Sequence, residues 1–309
     1  MTRPGPTCSD SDVKIVSLLP SATEIVYTLG LGDSLEGVTF ECDFPSEART
    51  KPVVSGTALP PGELSAREID DVVSATVASG EPIYTLDAER IRSIQPDLIL
   101  AQDLCRVCAV PSGAVSDALG VLGCRAEVLS LDPSSLADVV ACIGTVGEAT
   151  GTGALAQAVV AGLNARLDRV RELVAGLDRP RTFALEWSDP PFTGGHWVPD
   201  MITAAGGEPI LASVGAPSRR VTWDEVAATA PDVTVFMPCG YGLSEAVAEA
   251  DKLPSGLGCL YAVDATSYFS RPGPRIVDGV EILAWALHPG VMPAPPAGTI
   301  QLIDSAVTK

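Results

Sequence analysis

The sequence predicts an α/β fold of two parallel-sheet lobes joined by a single long helix. Three observations carry this expectation. Strands and helices alternate from residue 13 to 131, no strand interrupts residues 134–177, and the alternation restarts at 181 and runs to 290. Strand–helix alternation points to mostly parallel sheets, and 309 residues suffice for two lobes of about 130 residues each.

Residues 1–12 are polar with two prolines and read as a flexible tail. VKIVSLL (13–19) is a short β-branched run, the pattern of a buried strand. PSATEIVYTLGLG follows it as a helix, with Ser21 or Thr23 as cap, Glu24 in the first turn, and Gly30 and Gly32 as stops. EGVTF (36–40) is a second strand, and residues 65–79 form an acidic amphipathic helix. DAERIRSIQPDLILA (87–101) reads as helix, Pro-Asp turn and strand; 111–123 is a helix and AEVLSL (126–131) a strand. Two helical stretches fill 134–177, and Asp178-Arg179-Pro180 ends the second. The second half repeats the plan. RTFALEW (181–187) is a strand, GGHWVPDMITAAGG holds a helix, TWDEVAATAPDVTVFM (222–237) is helix, turn and strand, LYAVDA (260–265) is a strand, and 271–290 is a loop entering a last helix. IQPDLILA in the first half echoes TAPDVTVFM in the second, a weak internal repeat. The expected domains are 13–150, a linking helix at 151–178, 179–293, and a tail at 294–309.

Composition narrows the function classes. The net charge of −19 would be repelled by a phosphate backbone, so no nucleic-acid partner is expected. No run of roughly 18 apolar residues exists, so no direct membrane insertion is expected. No apolar segment precedes the first strand, so the protein is expected to be cytoplasmic if Met1 is the native start. Eight cysteines in a reducing compartment would be free thiols or metal ligands.

Several motifs bear on chemistry. PSATE (20–24) stands where a strand hands over to a helix, and helix-start N–H groups can face an anion or a ligand carbonyl. Cys105-x-x-Cys108 follows a strand, as does Cys42; with His196 they would make a Cys₃His set suited to zinc or iron. The same cysteines could equally be packed small residues. Trp187, Phe192, Trp197 and Phe269 lie in loops or at strand ends, where aromatic faces suit a wide apolar plate, or simply pack their own loops. His196 sits in a Gly-rich loop and could be an axial ligand; His288 precedes a proline at a helix end and reads as structural. Arg271 and Arg275 flank a rigid Pro-Gly-Pro turn and could pair with ligand carboxylates or phosphate, or with acidic side chains of the protein. Glu186, Asp189, Glu24 and Asp43 could serve as general acids or bases if they met, although no catalytic or phosphate-binding motif is present.

The run KIVSLLPSATEIVYTLGLGDSLEGVT, then PDLILA, the long helix and PDVTVFM, resembles the class III, helix-linked substrate-binding proteins of the cobalamin and ferric-siderophore type. ECDFP (41–45), QDLCRVCAV (102–110), the 186–199 block and RPGPRIVDGVEILAWALHP (271–289) resemble the corrinoid-binding branch and its unexported relatives. The resemblance spans about residues 13–290. It implies a ligand cleft between the two lobes, limited closure, and cobalamin or another corrinoid as first ligand, with haem or a ferric siderophore next. If Met1 is the native start, no signal peptide is expected, which would depart from the exported members and count against an ABC-transporter partner.

Strand ends face the ligand in such sheets, so one pocket is expected from Ser21, Thr23, Glu24, Asp43, Phe44, Cys105, Trp187, His196, Trp197, Phe269 and Arg271. Trp197 is expected to line that pocket as a ring outside the core. A small-molecule binding protein without catalysis is the leading reading. A cytoplasmic enzyme built on the same scaffold, and a Cys/His metal or iron–sulfur protein, are the alternatives.

Overall fold

The computed structural model describes residues 13–59, 64–103, 113, 115 and 125–303. They divide into two compact units. The first comprises residues up to Thr57, Tyr84–Leu131 and Thr145–Ala156; the second comprises Ala58–Ile83, Asp132–Gly144 and the chain from Gln157.

In the first unit, β1 (Ile15–Ser17), β2 (Leu35–Val38), β5 (Leu98–Ala101) and β6 (Glu127–Ser130) form a parallel sheet in the order β2-β1-β5-β6. β1 and β5 are buried along their whole length, the pattern of central parallel strands covered on both faces. Val16, Leu18, Val54, Ile91 and Ile99 build the core beside this sheet. A short antiparallel pair, β3 (Ser55–Thr57) and β4 (Tyr84–Leu86), lies in the same unit. Helix α1 (Pro20–Thr28) starts on Pro20, whose fixed φ suits a first helical turn. The expected cap is corrected here. Leu19 is the N-cap without a side-chain bond, and Ser21 and Thr23 already lie inside the helix. Gly30, at φ +71°, turns the chain out of α1 and donates its N–H to the Tyr27 carbonyl.

In the second unit, β7 (Arg181–Ser188), β10 (Val233–Phe236) and β11 (Cys259–Val263) run parallel. The order is β12-β11-β10-β7-β8, with β8 (Pro191–Thr193) and β12 (Ile300–Ile303) antiparallel at the edges and β9 (Glu208–Pro209) beside β7. The chain past residue 293 is thus more than a tail, because Ile300–Ile303 closes the sheet against β11. Phe183, Leu185, Phe236 and Ala262 fill the core, and each fully buried Phe contributes roughly 1.5–3 kcal/mol.

The remaining helices among the described residues are α2 (Ala66–Ser79), α3 (Ala88–Ile94), α4 (Leu136–Ala149), α5 (Gly153–Val174), α6 (Val198–Ala204), α7 (Trp223–Thr229), α8 (Leu243–Ala250), α9 (Ala265–Tyr268) and α10 (Ile276–Leu287). α5 lies in the strand-free stretch, inside the 151–178 span expected for the linking helix. Its 22 residues give a rod about 33 Å long at 1.5 Å per residue. Arg166 of α5 pairs with both Asp278 and Glu281 of α10, which fastens the helix to the second unit. No helix among the described residues is long and apolar enough to cross a membrane.

Candidate ligand-binding site

Parallel strands end together, so each unit gathers its functional loops along one sheet edge. In the first unit these are the turn from β1 into α1 and the loop after β2. Ser17 Oγ donates to the Leu19 carbonyl at 2.9 Å, which shapes the turn before Pro20. Ser21, Thr23 and Glu24 are all buried and offer no open polar edge. Thr23 Oγ1 and Cys42 Sγ are hydrogen-bond partners at 3.0 Å, so the helix start is tied to the loop after β2. In that loop Asp43 lies 3.7 Å from Arg49, and Phe44 is 45% exposed. Phe40, which sequence reasoning passed over, is 44% exposed and stands 6.2 Å from the Tyr84 ring. Two open aromatic rings therefore lie four residues apart at this end of the sheet.

Cys105 and Cys108 lie outside the described residues. Among the described residues no three His, Cys, Asp or Glu side chains gather to hold a metal ion. Of the expected zinc or iron set, Cys42 is buried against Thr23, and His196 belongs to the second unit.

The second unit builds its loops around β7. Glu186, near the end of that strand, accepts a short hydrogen bond from Ser218 Oγ and another from the Gly195 N–H. Burial raises its carboxyl above the ordinary glutamate value, while these two donors oppose the rise. The Ser218 link was not legible in the sequence, where Glu186 stands in the 186–199 block but Ser218 stands in no motif. Gly195 is needed for the close approach of the 216–218 chain: a Cβ there would meet the Ser218 nitrogen at 2.2 Å. His196 follows with φ +52°, its N–H donating to the Ala216 carbonyl at 2.7 Å and its own carbonyl accepting from Gly215 at 3.0 Å. Its ring lies 5.8 Å from that of Trp197, and burial lowers its imidazole from the ordinary histidine value.

Trp197 and Phe269 differ from expectation. Trp197 is only 7% exposed and Phe269 only 1%, and the indole N–H of Trp197 donates to the Phe269 carbonyl at 2.8 Å. A buried indole needs such an acceptor. Both rings are enclosed rather than presented as open faces, which corrects the expectation that Trp197 stands outside the core. Arg271, beyond Phe269, is half-buried, and Arg275 lies over the Tyr268 ring at 5.7 Å.

In the second unit, Trp187 and Phe192 of the expected aromatics remain partly open. Trp187 is half-buried, meets Tyr241 edge to face at 5.6 Å, and donates its N–H to the Ala66 carbonyl at 3.1 Å. Tyr241 sits in the loop after β10, so two neighbouring strand ends supply the pair. Sequence reasoning missed Tyr241; its signal was its place beyond PDVTVFM, the strand matching PDLILA in the first half. Phe192, also half-buried, lies 5.6 Å below the Arg220 guanidinium. Asp189 pairs with Arg67 at 3.3 Å. The result is an aromatic edge with the Arg220 and Arg67 guanidinium groups beside it. That suits shape recognition of a flat apolar ligand with a polar fringe.

Comparison with known proteins agrees on family and fold. Residues 15–253 match the family described as "Periplasmic binding protein". An uncharacterized ABC transporter substrate-binding lipoprotein of Bacillus subtilis, YvrC, is 26% identical over 89% of this chain and 80% of its own length. A cobalamin-binding protein of Halobacterium salinarum is 27% identical over 91% of this chain and 71% of its own. The crystal structure of a periplasmic haem-binding protein from Pseudomonas aeruginosa superposes with a TM-score of 0.70, at 19% identity, covering 94% of this chain and 97% of that one. The likeness in structure places the chain in the two-lobed α/β substrate-binding fold.

Proposed function

The chain belongs to the periplasmic binding protein family, and from that premise we propose that it binds a flat metal chelate, a corrinoid such as cobalamin before haem or a ferric siderophore. The observation that carries this reading is the Trp187–Tyr241 pair at the ends of β7 and β10, half-buried and edge to face. A macrocycle stacking on such a pair gains apolar contact, and arginines nearby meet its peripheral carboxylates or phosphate. The halophile relative named for cobalamin binding supports the order of ligands, and the Bacillus relative named for an ABC transporter supports a transporter as partner. The chain would hold its ligand without transforming it. Absorbance titration of the purified protein with hydroxocobalamin and, separately, hemin tests the proposal. Saturable binding of hydroxocobalamin at one site per chain is expected. No spectral change with either chelate would overturn it.

A further inference from the structure

Residues Ala58–Ile83 are inserted between β3 and β4, yet they pack with the second unit. Their helix, α2, buries only Ala66, while Val77 on the same helix is 45% exposed. A helix of 14 residues normally attaches through an apolar stripe. On this one the stripe is shallow, with Ala66 fully buried and Ile69, Val72 and Val73 half-buried, and polar contacts from the first turn add to it. Ser65 and Glu68 form a capping box that fixes where the helix starts. From there the Ala66 carbonyl takes the Trp187 indole N–H at 3.1 Å, Arg67 reaches Asp189 at 3.3 Å, and Asp70 takes Arg220 at 2.9 Å. Trp187 ends β7 and Asp189 stands in the β7–β8 turn, while Arg220 lies in the segment before α7, where it bridges to Phe192 of β8 and covers its ring.

We propose that α2 is a detachable strap whose first turn sets the Trp187 ring for ligand, with Arg67 and Asp70 as positioning residues. This inference rests on the reading of Trp187 as a ligand contact. Two of the three contacts are ion pairs. The Asp70 carboxylate is only 12% exposed, which leaves its pair less screened than one at the open surface. With one fully buried residue in its length and Ile69, Val72 and Val73 only half-buried, α2 belongs to the class of elements that open locally at low free energy. While docked, it removes the rotational freedom of the indole and so orders part of the site before ligand arrives.

The test compares the wild-type chain with the double variant Arg67→Gln/Asp70→Asn. Fluorine-labelled tryptophan is observed by NMR, and the Trp187 line is assigned with Trp187→Phe. In the double variant the Trp187 line should move, and amide exchange across 66–79 should rise about tenfold. The thermal midpoint should shift by no more than about 3 °C, as expected for partly exposed ion pairs. Hydroxocobalamin affinity should fall about fivefold, the worth of one side chain ordered before binding rather than during it. A separate variant that reverses the pair with Arg67 kept, Asp70→Arg with Arg220→Asp, should leave the Trp187 line near its wild-type position. An unmoved Trp187 line in the double variant overturns the strap. A moved line with unchanged affinity overturns its bearing on ligand. Should the wild-type chain bind no hydroxocobalamin, the functional reading falls, and the tryptophan line with the exchange rates still decides whether α2 holds the indole.

Discussion

Gly195 and Ser218 approach so closely that a β-carbon on Gly195 would stand 2.2 Å from the Ser218 amide nitrogen. The approach lets Ser218 reach Glu186 and lets His196 exchange backbone bonds with Ala216 and Gly215. Backbone atoms cannot swing aside as a side-chain tip can. Gly195→Ala should therefore cost about 1–3 kcal/mol of stability, the usual range for an overpacked site. Gly162, inside α5, has open space where a β-carbon would stand, so Gly162→Ala should stabilise by roughly 0.5–1 kcal/mol. Urea denaturation of both variants checks the pair, and equal effects at the two positions would contradict the packing described.

Trp187 and Trp197 should separate binding from stability. Trp197 is enclosed and its N–H is committed to the Phe269 carbonyl. Trp197→Ala should thus cost about 3–5 kcal/mol of folding free energy, as large buried aromatics do. Trp187→Ala and Tyr241→Ala should each weaken hydroxocobalamin binding by about 1–3 kcal/mol with a smaller effect on folding. Thermal melts and titrations on the three variants distinguish the roles. A binding loss confined to Trp197→Ala, with its fold intact, would restore Trp197 as the ligand ring.

The sequence made the architecture legible because its central strands are continuous apolar or β-branched runs preceded by Pro-Asp turns, as in PDLILA and PDVTVFM, and because helical spacing persists through 153–174. β12 escaped notice for the opposite reason. It is an edge strand of four residues with Gln301 and Leu302 exposed, so no buried run announces it. β3 and β4 are three residues each and were equally silent. The candidate site was legible only in part. A tryptophan in a Gly-rich loop reads as an open face, yet the acceptor that encloses Trp197 lies 72 residues away. Asp70 and Arg220 are 150 residues apart, a pairing that no local pattern encodes.

Thiol chemistry should follow burial. Cys142 is enclosed in α4, and burial, with Asp138 and Asp132 adding to it, pushes its thiol up to about 11. Cys42 is buried against Thr23, whereas Cys239 and Cys259 are exposed. Brief alkylation at pH 8 followed by peptide mapping should label Cys239 and Cys259 and spare Cys42 and Cys142 until the protein is denatured. Early labelling of Cys142 would mean that α4 opens readily.

Glu186 should make stability depend on pH in a definite direction. Burial raises its folded-state carboxyl above the ordinary value of 4.5, and the Ser218 and Gly195 donors only offset that rise. The folded chain therefore keeps this proton to higher pH than the unfolded chain does. Its contribution to stability is complete below about 4.5 and is lost as pH rises through the folded-state value. Glu186→Gln keeps an acceptor for Ser218 and removes the titration. The stability difference between variant and wild type should consequently tilt toward the variant as pH rises from about 4.5 and then level off. One lost hydrogen bond would shift the whole difference by a constant without tilting it. His196, lowered by burial, titrates in both proteins and drops out of the comparison. Urea denaturation of the two proteins between pH 4.5 and 8 measures the tilt. A flat difference across that range would mean that Ser218 and Gly195 fully compensate the burial of the carboxylate.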